Sequence, residues 1–564
     1  MKRIAGIPRR ALVASAVVIL ALVCVHRPAA AVTLRDVAQA ANDWRTLPAS
    51  APGEPGAVLA ALARVDTLPL RCGTPLLMTL SGQPENASLM AALQPARGLL
   101  EERSLATRDG RFVVRNTPPG IGAAARDAEA GAETVARILD ALVSSRASLL
   151  AQGWPEPAPE RIAVVVTRIG HGLDGYVLPG RPGAHAASAV MVLDAALPPE
   201  RIATAVLHQV AHLSLLTFAH GAPWWHEATA GYLALLGGTG SFDRASLASR
   251  LETTARGIDS DDLAVLPGAL LWPLFLTERT GDALLVRQVW QALGDQILDP
   301  LAAADEVLKR RGLSLGAAVR EMAVWNQFTG ARSDARHYEI GPDLPEGALA
   351  DLGPDLPLSV SSPEPVEPTG SLAYRLSAGN ARGALRLAVS AEGGAPAADV
   401  LLFSRSHDAL PVLVPVPLVG GRGETSIPWT DAREAWIVLR NAPEPGEAGA
   451  SRFDLSLDVD PRAPFDLAAF ATTQVGRSLV LEWTTASESG LLGWNVYRSE
   501  SPDGPYVRLN SVALPAYGDG AADTGYLFVD DGARPGRRYY YQVEGVTASG
   551  LAQRSHTASA RVNP

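Results

Sequence analysis

Cysteine is almost absent from this sequence of 564 residues, occurring only at positions 24 and 72. Cys24 lies inside an N-terminal apolar run that reads as a removable leader. One cysteine is then left, which excludes an intrachain disulfide framework and a cysteine-built metal cluster. Cys72, set among Leu70, Leu76 and Leu77, reads as a buried small hydrophobe rather than a nucleophile. Lysine is equally rare: Lys2 and Lys309 stand against 47 arginines (49 − 2), a bias that points to GC-rich bacterial coding and carries no mechanism. Positive charge is short overall, with 49 basic against 59 acidic residues, a net charge of −10 and a pI near 5.6. A nucleic-acid partner is therefore excluded, because phosphate binding needs a basic face. No run of like charges marks a membrane-surface patch. There is no G-x-S-x-G nucleophile motif and no phosphate-binding glycine loop.

What is present begins with the leader. Lys2, Arg3, Arg9 and Arg10 precede an unbroken apolar stretch from Ala11 to Val25, and Ala29-Ala30-Ala31 offers small residues for cleavage before Val32. Fifteen apolar residues fall short of the roughly 20 that span a bilayer, although an uncleaved anchor stays open. Val23 before Cys24 argues against lipidation. No second apolar run approaches spanning length, so the mature chain is expected to be soluble, secreted or in the cell envelope.

A chain this long exceeds one core and suggests about three or four units. The expected organisation is a multidomain chain: an α+β domain followed by two all-β sandwiches. Residues 1–31 are the signal peptide, and 32–105 an N-terminal helical or irregular segment with a prodomain-like or packing role. Residues 106–335 form the α+β domain and 336–360 a linker. The two sandwiches cover 361–462 and 463–564.

Within 106–335, Phe112-Val113-Val114, Ile162–Ile169 and Ala189–Leu193 read as strands. Between the last two, the Gly/Pro-rich stretch 170–183 reads as a hairpin or crossover loop. Pro198-Pro199-Glu200 opens a helix to about Phe218, since proline at the first position costs no hydrogen bond and glutamate suits the positive end. A second helix covers about Trp225 to Leu236 and stops at Gly237-Gly238. Beyond 340 the helical period gives way to short alternating runs.

The last unit resembles a fibronectin type III domain. The residues that carry the likeness are Trp483, the strand Trp494-Asn495-Val496-Tyr497-Arg498 and the strand Tyr539-Tyr540-Tyr541-Gln542-Val543. The resemblance implies a spacer or binding module.

Chemistry concentrates in the histidines. Six of the ten lie between His171 and His226, four of them in His208-Gln-Val-Ala-His212…His220…His226-Glu227. Two histidines four apart on a helix share a face, so both imidazoles can reach one cation. A carboxylate from the next helix can complete three ligands and leave a fourth place open. Asp261-Asp262 and Asp530-Asp531 read as solvated turn residues rather than catalytic pairs. Asn86-Ala87-Ser88 fits a glycosylation sequon by chance.

At these residues the chain resembles the zincin superfamily. The order of strand, edge strand, HxxxH helix and a following helix with glutamate is similar to the gluzincins. The segment Pro223-Trp224-Trp225-x-Glu227-Ala228-x-Ala230-x-Tyr232 is similar to one in the peptidase MA-like clan. Trp325-Asn326-Gln327-Phe328-Thr329-Gly330, then His337-Tyr338, and the fibronectin-like tail look like a family of secreted metalloproteases known from myxobacteria. The likeness spans most of residues 70–560. It implies Zn²⁺ as cofactor, His208, His212 and Glu227 as its ligands, and a protein or peptide as partner or substrate.

One departure matters more than the match. The family pattern is His-Glu-x-x-His, and position 209 here is glutamine. That glutamate takes a proton from water and passes it to the leaving amine, and an amide can do neither. Tyr232 is a candidate oxyanion stabiliser or a packing residue. His220 and His226 are candidates to support or join the ligands. Trp224 and Trp225 read as wall or core. Three functions follow: a zinc-binding, catalytically impaired pseudopeptidase, which we favour; an active peptidase using another base, such as Glu200, an acid in 251–262 or a loosely held hydroxide; or a metal-free structural or adhesive protein.

Overall fold

The structure is a computed structural model that describes residues 32–42, 55–81, 104–116, 131–157, 160–178, 190–218, 222–237, 244–295, 299–379, 384–405, 411–429, 432–447, 449–460, 465–488, 491–517, 523–547 and 552–563. The signal stretch, Asn86, His185 and His220 lie outside them.

Three short helices come first: α1 (Leu34–Asn42), α2 (Pro55–Leu62) and α3 (Thr74–Ser81). A five-stranded sheet follows, of β1 (Ser104–Ala106), β2 (Phe112–Asn116), β3 (Ile162–Thr167), β4 (Gly175–Leu178) and β5 (Val190–Asp194), in the order β1-β2-β3-β5-β4. Strands β2, β3 and β5 run parallel, while β4 is antiparallel to β5. The near-continuous apolar run of β3 fits a strand covered on both faces. Helices α4 (Ala132–Ala151) and α5 (Pro199–Leu215) pack on the sheet, α6 (Pro223–Leu236) packs on α5 and α3, and further helices follow as far as Trp325.

Three expectations change here. The stretch 170–183 is not all loop: within it, β4 buries Tyr176 and Val177 and takes an edge position on β5. Residues 32–81 do not stand apart, since Leu34, Leu59, Leu76 and Leu80 belong to the same apolar core as β3 and α5. The stretch 336–360 is not a free linker either. Tyr338 and Leu344 sit in that core, and Ala350–Asp351 and Leu358–Ser361 are already strands of the β-rich half. Aromatic and leucine side chains buried in this stretch hold it down where composition alone reads as a tether.

The C-terminal half is β-rich. Residues 350–460 contribute two sheets around a core that includes Leu387, Trp429, Ile437 and Leu455. Residues 465–561 contribute a three-stranded sheet and further strands around Trp483, Trp494 and Tyr541. The halves of this region share one sheet, because strand Arg422–Pro428 pairs in parallel with Ala552–Arg554 at Ser426 and Gln553. Neither acidic pair is simply solvated. Asp530 is buried against Arg498 and accepts from Tyr541 Oη at 2.6 Å, and Asp262 accepts from Ala264 N. A carboxylate in a turn is kept buried where it has such donors.

The motif from Trp325 to Tyr338 is the joint between the halves. Phe328 stacks flat on His337 at 4.0 Å, and Trp325 meets His337 edge-on at 5.5 Å. The His337 side chain is fully buried, with Nδ1 2.6 Å from Asp334 and Nε2 3.2 Å from Asp503 of the last unit. Burial alone would lower its pKa, but bonds to Asp334 and Asp503 outweigh that and raise it. A raised folded value means the charged clamp is complete below the ordinary histidine value near 6.5 and is lost as pH rises through the folded one. His337→Ala leaves Asp503 buried beside no cation and is expected to cost about 3 kcal/mol near pH 6. Urea unfolding of wild type and variant at acidic and mildly alkaline pH checks this, and an equal difference at both would remove His337 charge from the account.

Candidate metal centre

Proline sets the start of both helices that build the site. Pro199 and Pro223 occupy first-turn positions of α5 and α6, where a missing N–H costs nothing. One turn separates His208 from His212 on the inner side of α5, and their Nε2 atoms lie 3.1 Å apart. Early in α6, Glu227 Oε2 comes to 3.4 Å from His208 Nε2 and 3.3 Å from His212 Nε2. A fourth group arrives from far away in sequence: Cys72 Sγ lies 3.4 Å from His212 Nε2. The four donor atoms fall within 4.8 Å of one another.

These residues fit a metal ion. Ligands of a tetrahedral site with bonds of 2.0–2.3 Å sit about 3.4 Å from each other, close to the 3.1–3.4 Å among His208, His212 and Glu227 and between His212 and Cys72. His212, Glu227 and Cys72 are buried, and Glu227 Oε2 has no well-aligned hydrogen bond despite the neighbouring imidazoles. A buried, unsatisfied carboxylate oxygen is costly unless something positive meets it. The group of Cys, His, His and Glu could therefore bind a metal ion.

Charge within the cluster supports this. Burial pushes the Glu227 carboxyl up, but His208 and His212 outweigh it and hold the pKa down at about 2. Burial and Glu227 push the Cys72 thiol up, and the two imidazoles bring it down to about 7. Burial opposes a charged His208, yet Glu227 and Cys72 raise its pKa well above the ordinary value. Anionic donors thus draw positive charge to this point, and a divalent cation answers the same demand as protons on the rings.

Gln209 is buried beside the cluster. Its Nε2 donates to Cys72 Sγ at 3.3 Å and its Oε1 accepts from Thr74 Oγ1 at 3.3 Å. His226 is buried too, stacked 6.2 Å from His212 and edge-on to Trp290 at 4.7 Å. It supports the ligand ring and is not among the four donors. Trp224 and Trp225 are core residues.

A cavity of about 560 Å³ opens beside the donors, lined by His208, Gln209, Glu227, Asp174, Arg201 and Leu270 among others. Asp174 pairs with Arg201, and its burial raises its pKa to about 6. Tyr232 is not part of this cavity. Five residues after Glu227 it is turned by roughly 140° around the helix, is 2% exposed and bonds toward Thr277. Its catalytic role is thereby withdrawn in favour of packing. Glu200 is exposed, and the acids of 251–262 do not line the cavity. His171 sits apart, with Nδ1 2.8 Å from Asp66 O.

Sequence reasoning read Cys72 as a buried small hydrophobe, and it is buried, but it missed that Cys72 and Thr74 stand at this cluster. Cys72 lies 140 residues from His212 in the chain, and no local spacing links them. What brings them together is the sheet edge. Cys72 bridges Gly175 of β4, Gly73 N donates to Gly175 O at 3.0 Å, and Asp174 N donates to Arg71 O at 2.7 Å. Gly175 is needed there, since a Cβ would meet Val192 O at 2.7 Å.

No known family matches the chain, and no curated protein sequence does. Among solved structures, it is similar to a Fn3-like protein from Clostridium thermocellum at 24% identity, covering 17% of this chain and 88% of that one, with a TM-score of 0.13. It is similar to pectate lyase PelI from Erwinia chrysanthemi at 24% identity, over 17% of this chain and 28% of that one, TM-score 0.14. The pre-peptidase C-terminal domain of collagenase from Bacillus anthracis is 12% identical over 20% of this chain and 95% of that one, TM-score 0.15. The chain spans less than two thirds of the lyase, and likenesses this slight carry no argument about the fold or the function.

Proposed function

We propose that this is an exported, zinc-binding protein of the gluzincin kind whose peptidase activity is impaired, because Gln209 stands where such enzymes carry their proton-handling glutamate. The supporting observation is the convergence of His208, His212 and Glu227 at ligand spacing on two adjacent helices. When bound at an open site, zinc polarises a carbonyl and activates water. The residues of this chain would hold the ion and wall the cavity, and Gln209 itself supplies no base. A carboxylate within the cavity, Asp174, is held by Arg201, so an active enzyme with another base is the second reading and would rest on that residue. The fibronectin type III-like unit at 463–564 is read as a spacer or binding module for a protein or peptide.

Emission spectroscopy of the purified mature chain should find about one zinc per chain, and hydrolysis of a denatured protein should be slight. A metal-free protein would sink the reading. Affinity should weaken as pH falls through the histidine range, because protons compete for the ligands.

Among the described residues no helix is long and apolar enough to cross a membrane. Export through the leader predicts a mature N-terminus at or near Val32. Edman sequencing of protein from envelope or medium checks it, and a chain still starting at Met1 in the membrane would favour an anchor instead.

A further inference from the structure

Resting on the zinc reading above, we propose that Cys72 is the fourth ligand and that Gln209 is the positioning residue that holds its sulfur on the metal, so that the centre is closed rather than disabled. Three observations carry this.

The first is delivery. Residues 71–73 lie along the outer edge of β4 and are held there by the backbone bonds from Gly73 and Asp174. An unpaired sheet edge beside a metal is where an extended peptide would add by main-chain hydrogen bonds. Here the chain's own segment takes that place on Gly175 and presents Cys72 inward.

The second is the environment of the sulfur. Cys72 Sγ receives the backbone N–H of Thr74 at 3.4 Å and the Gln209 amide at 3.3 Å, and it faces His212 at 3.4 Å. Thr74 Oγ1 stands 3.2 Å from the same sulfur, so three hydrogen-bonding groups surround it, the setting that a buried anionic ligand requires.

The third is the orientation of the amide. Thr74 Oγ1 accepts from Val177 N at 2.9 Å and stands 3.3 Å from Gln209 Oε1 and 3.2 Å from Cys72 Sγ. With the amide oxygen toward Thr74, the NH₂ end lies 3.3 Å from Cys72 Sγ. A glutamate at 209 would offer only acceptors and set a carboxylate against the thiolate. Glutamine at this position thus suits a sulfur ligand where a glutamate would not.

Cobalt(II) substitution of the full-length mature chain tests this, with bound cobalt measured separately by emission spectroscopy. Wild type should show an intense near-ultraviolet thiolate-to-cobalt charge-transfer band. Cys72→Ser should lose the band while keeping cobalt on His208, His212 and Glu227, with at least tenfold weaker affinity. Gln209→Glu should weaken affinity by about 10–100-fold, as loss of a group orienting a ligand does, and should diminish the band. Cobalt bound to wild type without the band would overturn the Cys72 assignment and leave the zinc reading standing. A Gln209→Glu protein with unchanged band and affinity would overturn the positioning role. No cobalt retained by wild type would overturn both this inference and the zinc reading.

Discussion

The double variant Cys72→Ala/Gln209→Glu should hydrolyse a denatured protein at least about 10²-fold faster than wild type, in line with typical general-base contributions, while Gln209→Glu alone should gain far less. Two deficits have to be corrected together. Position 209 lacks a group that can accept and return a proton, and Glu differs from Gln by one atom, so packing on α5 changes little. In the proposed four-ligand centre, however, the Cys72 sulfur takes the fourth position, and a new carboxylate would face it at the 3.3 Å now spanned by the amide. Removing the sulfur leaves three ligands and an open place, the arrangement of catalytic zinc sites. The 560 Å³ cavity already adjoins His208 and Gln209, so the reacting group has room. The assay is release of labelled peptides from casein, with chelator-treated protein as blank. Wild type as active as the double variant would mean that another base operates, Asp174 first among candidates. If the double variant holds zinc and stays inactive, residues 71–73 on the β4 edge still block the substrate, and the base alone was not the limit.

His212→Ala should remove most of the zinc and a large part of the stability that zinc confers. The ring is fully buried, and its Nε2 stands within 3.4 Å of Cys72, His208 and Glu227 alike. Losing it opens the centre on the side where α5 and α6 meet. At free zinc a thousandfold above the dissociation constant, binding adds about 4 kcal/mol to the folded state. That increment should vanish in the variant and in chelator-treated wild type. Calorimetric unfolding with and without added zinc measures it. A variant that still responds to zinc like wild type would place the metal elsewhere, with His171, His185, His220 and His226 the next candidates.

Much of this centre was legible because helices write their faces into sequence. His208 and His212 are four apart, so one helix carries both inward, and Pro199 and Pro223 mark where the two helices begin. The β3 run Ile162–Thr167 announced a buried strand by its apolar continuity. The strand Trp494–Arg498 and Trp483 were visible for the same reason, as bulky residues of a buried β-rich core. Tyr232 misled because a residue five positions from a ligand looks near in sequence, whereas helical rotation turns it away. His337 was seen only as part of a motif, and its two aspartate partners lie in different units of the chain.

By itself, then, the sequence determined the pair of imidazoles, the glutamate that follows them, the amide at 209 and the β-rich tail, because each rests on spacing within one element or on the residues of a single core. Only the tertiary structure places the amide between Cys72 and Thr74. Cys72 belongs to a segment that sequence could describe only as helical or irregular, and its place depends on main-chain bonds to β4, on a glycine at 175 that lets β4 lie close to β5 and Gln209, and on a threonine beside the Gln209 amide. Those are contacts between residues more than a hundred positions apart, and a hydrogen bond across such a distance leaves no period for the sequence to show.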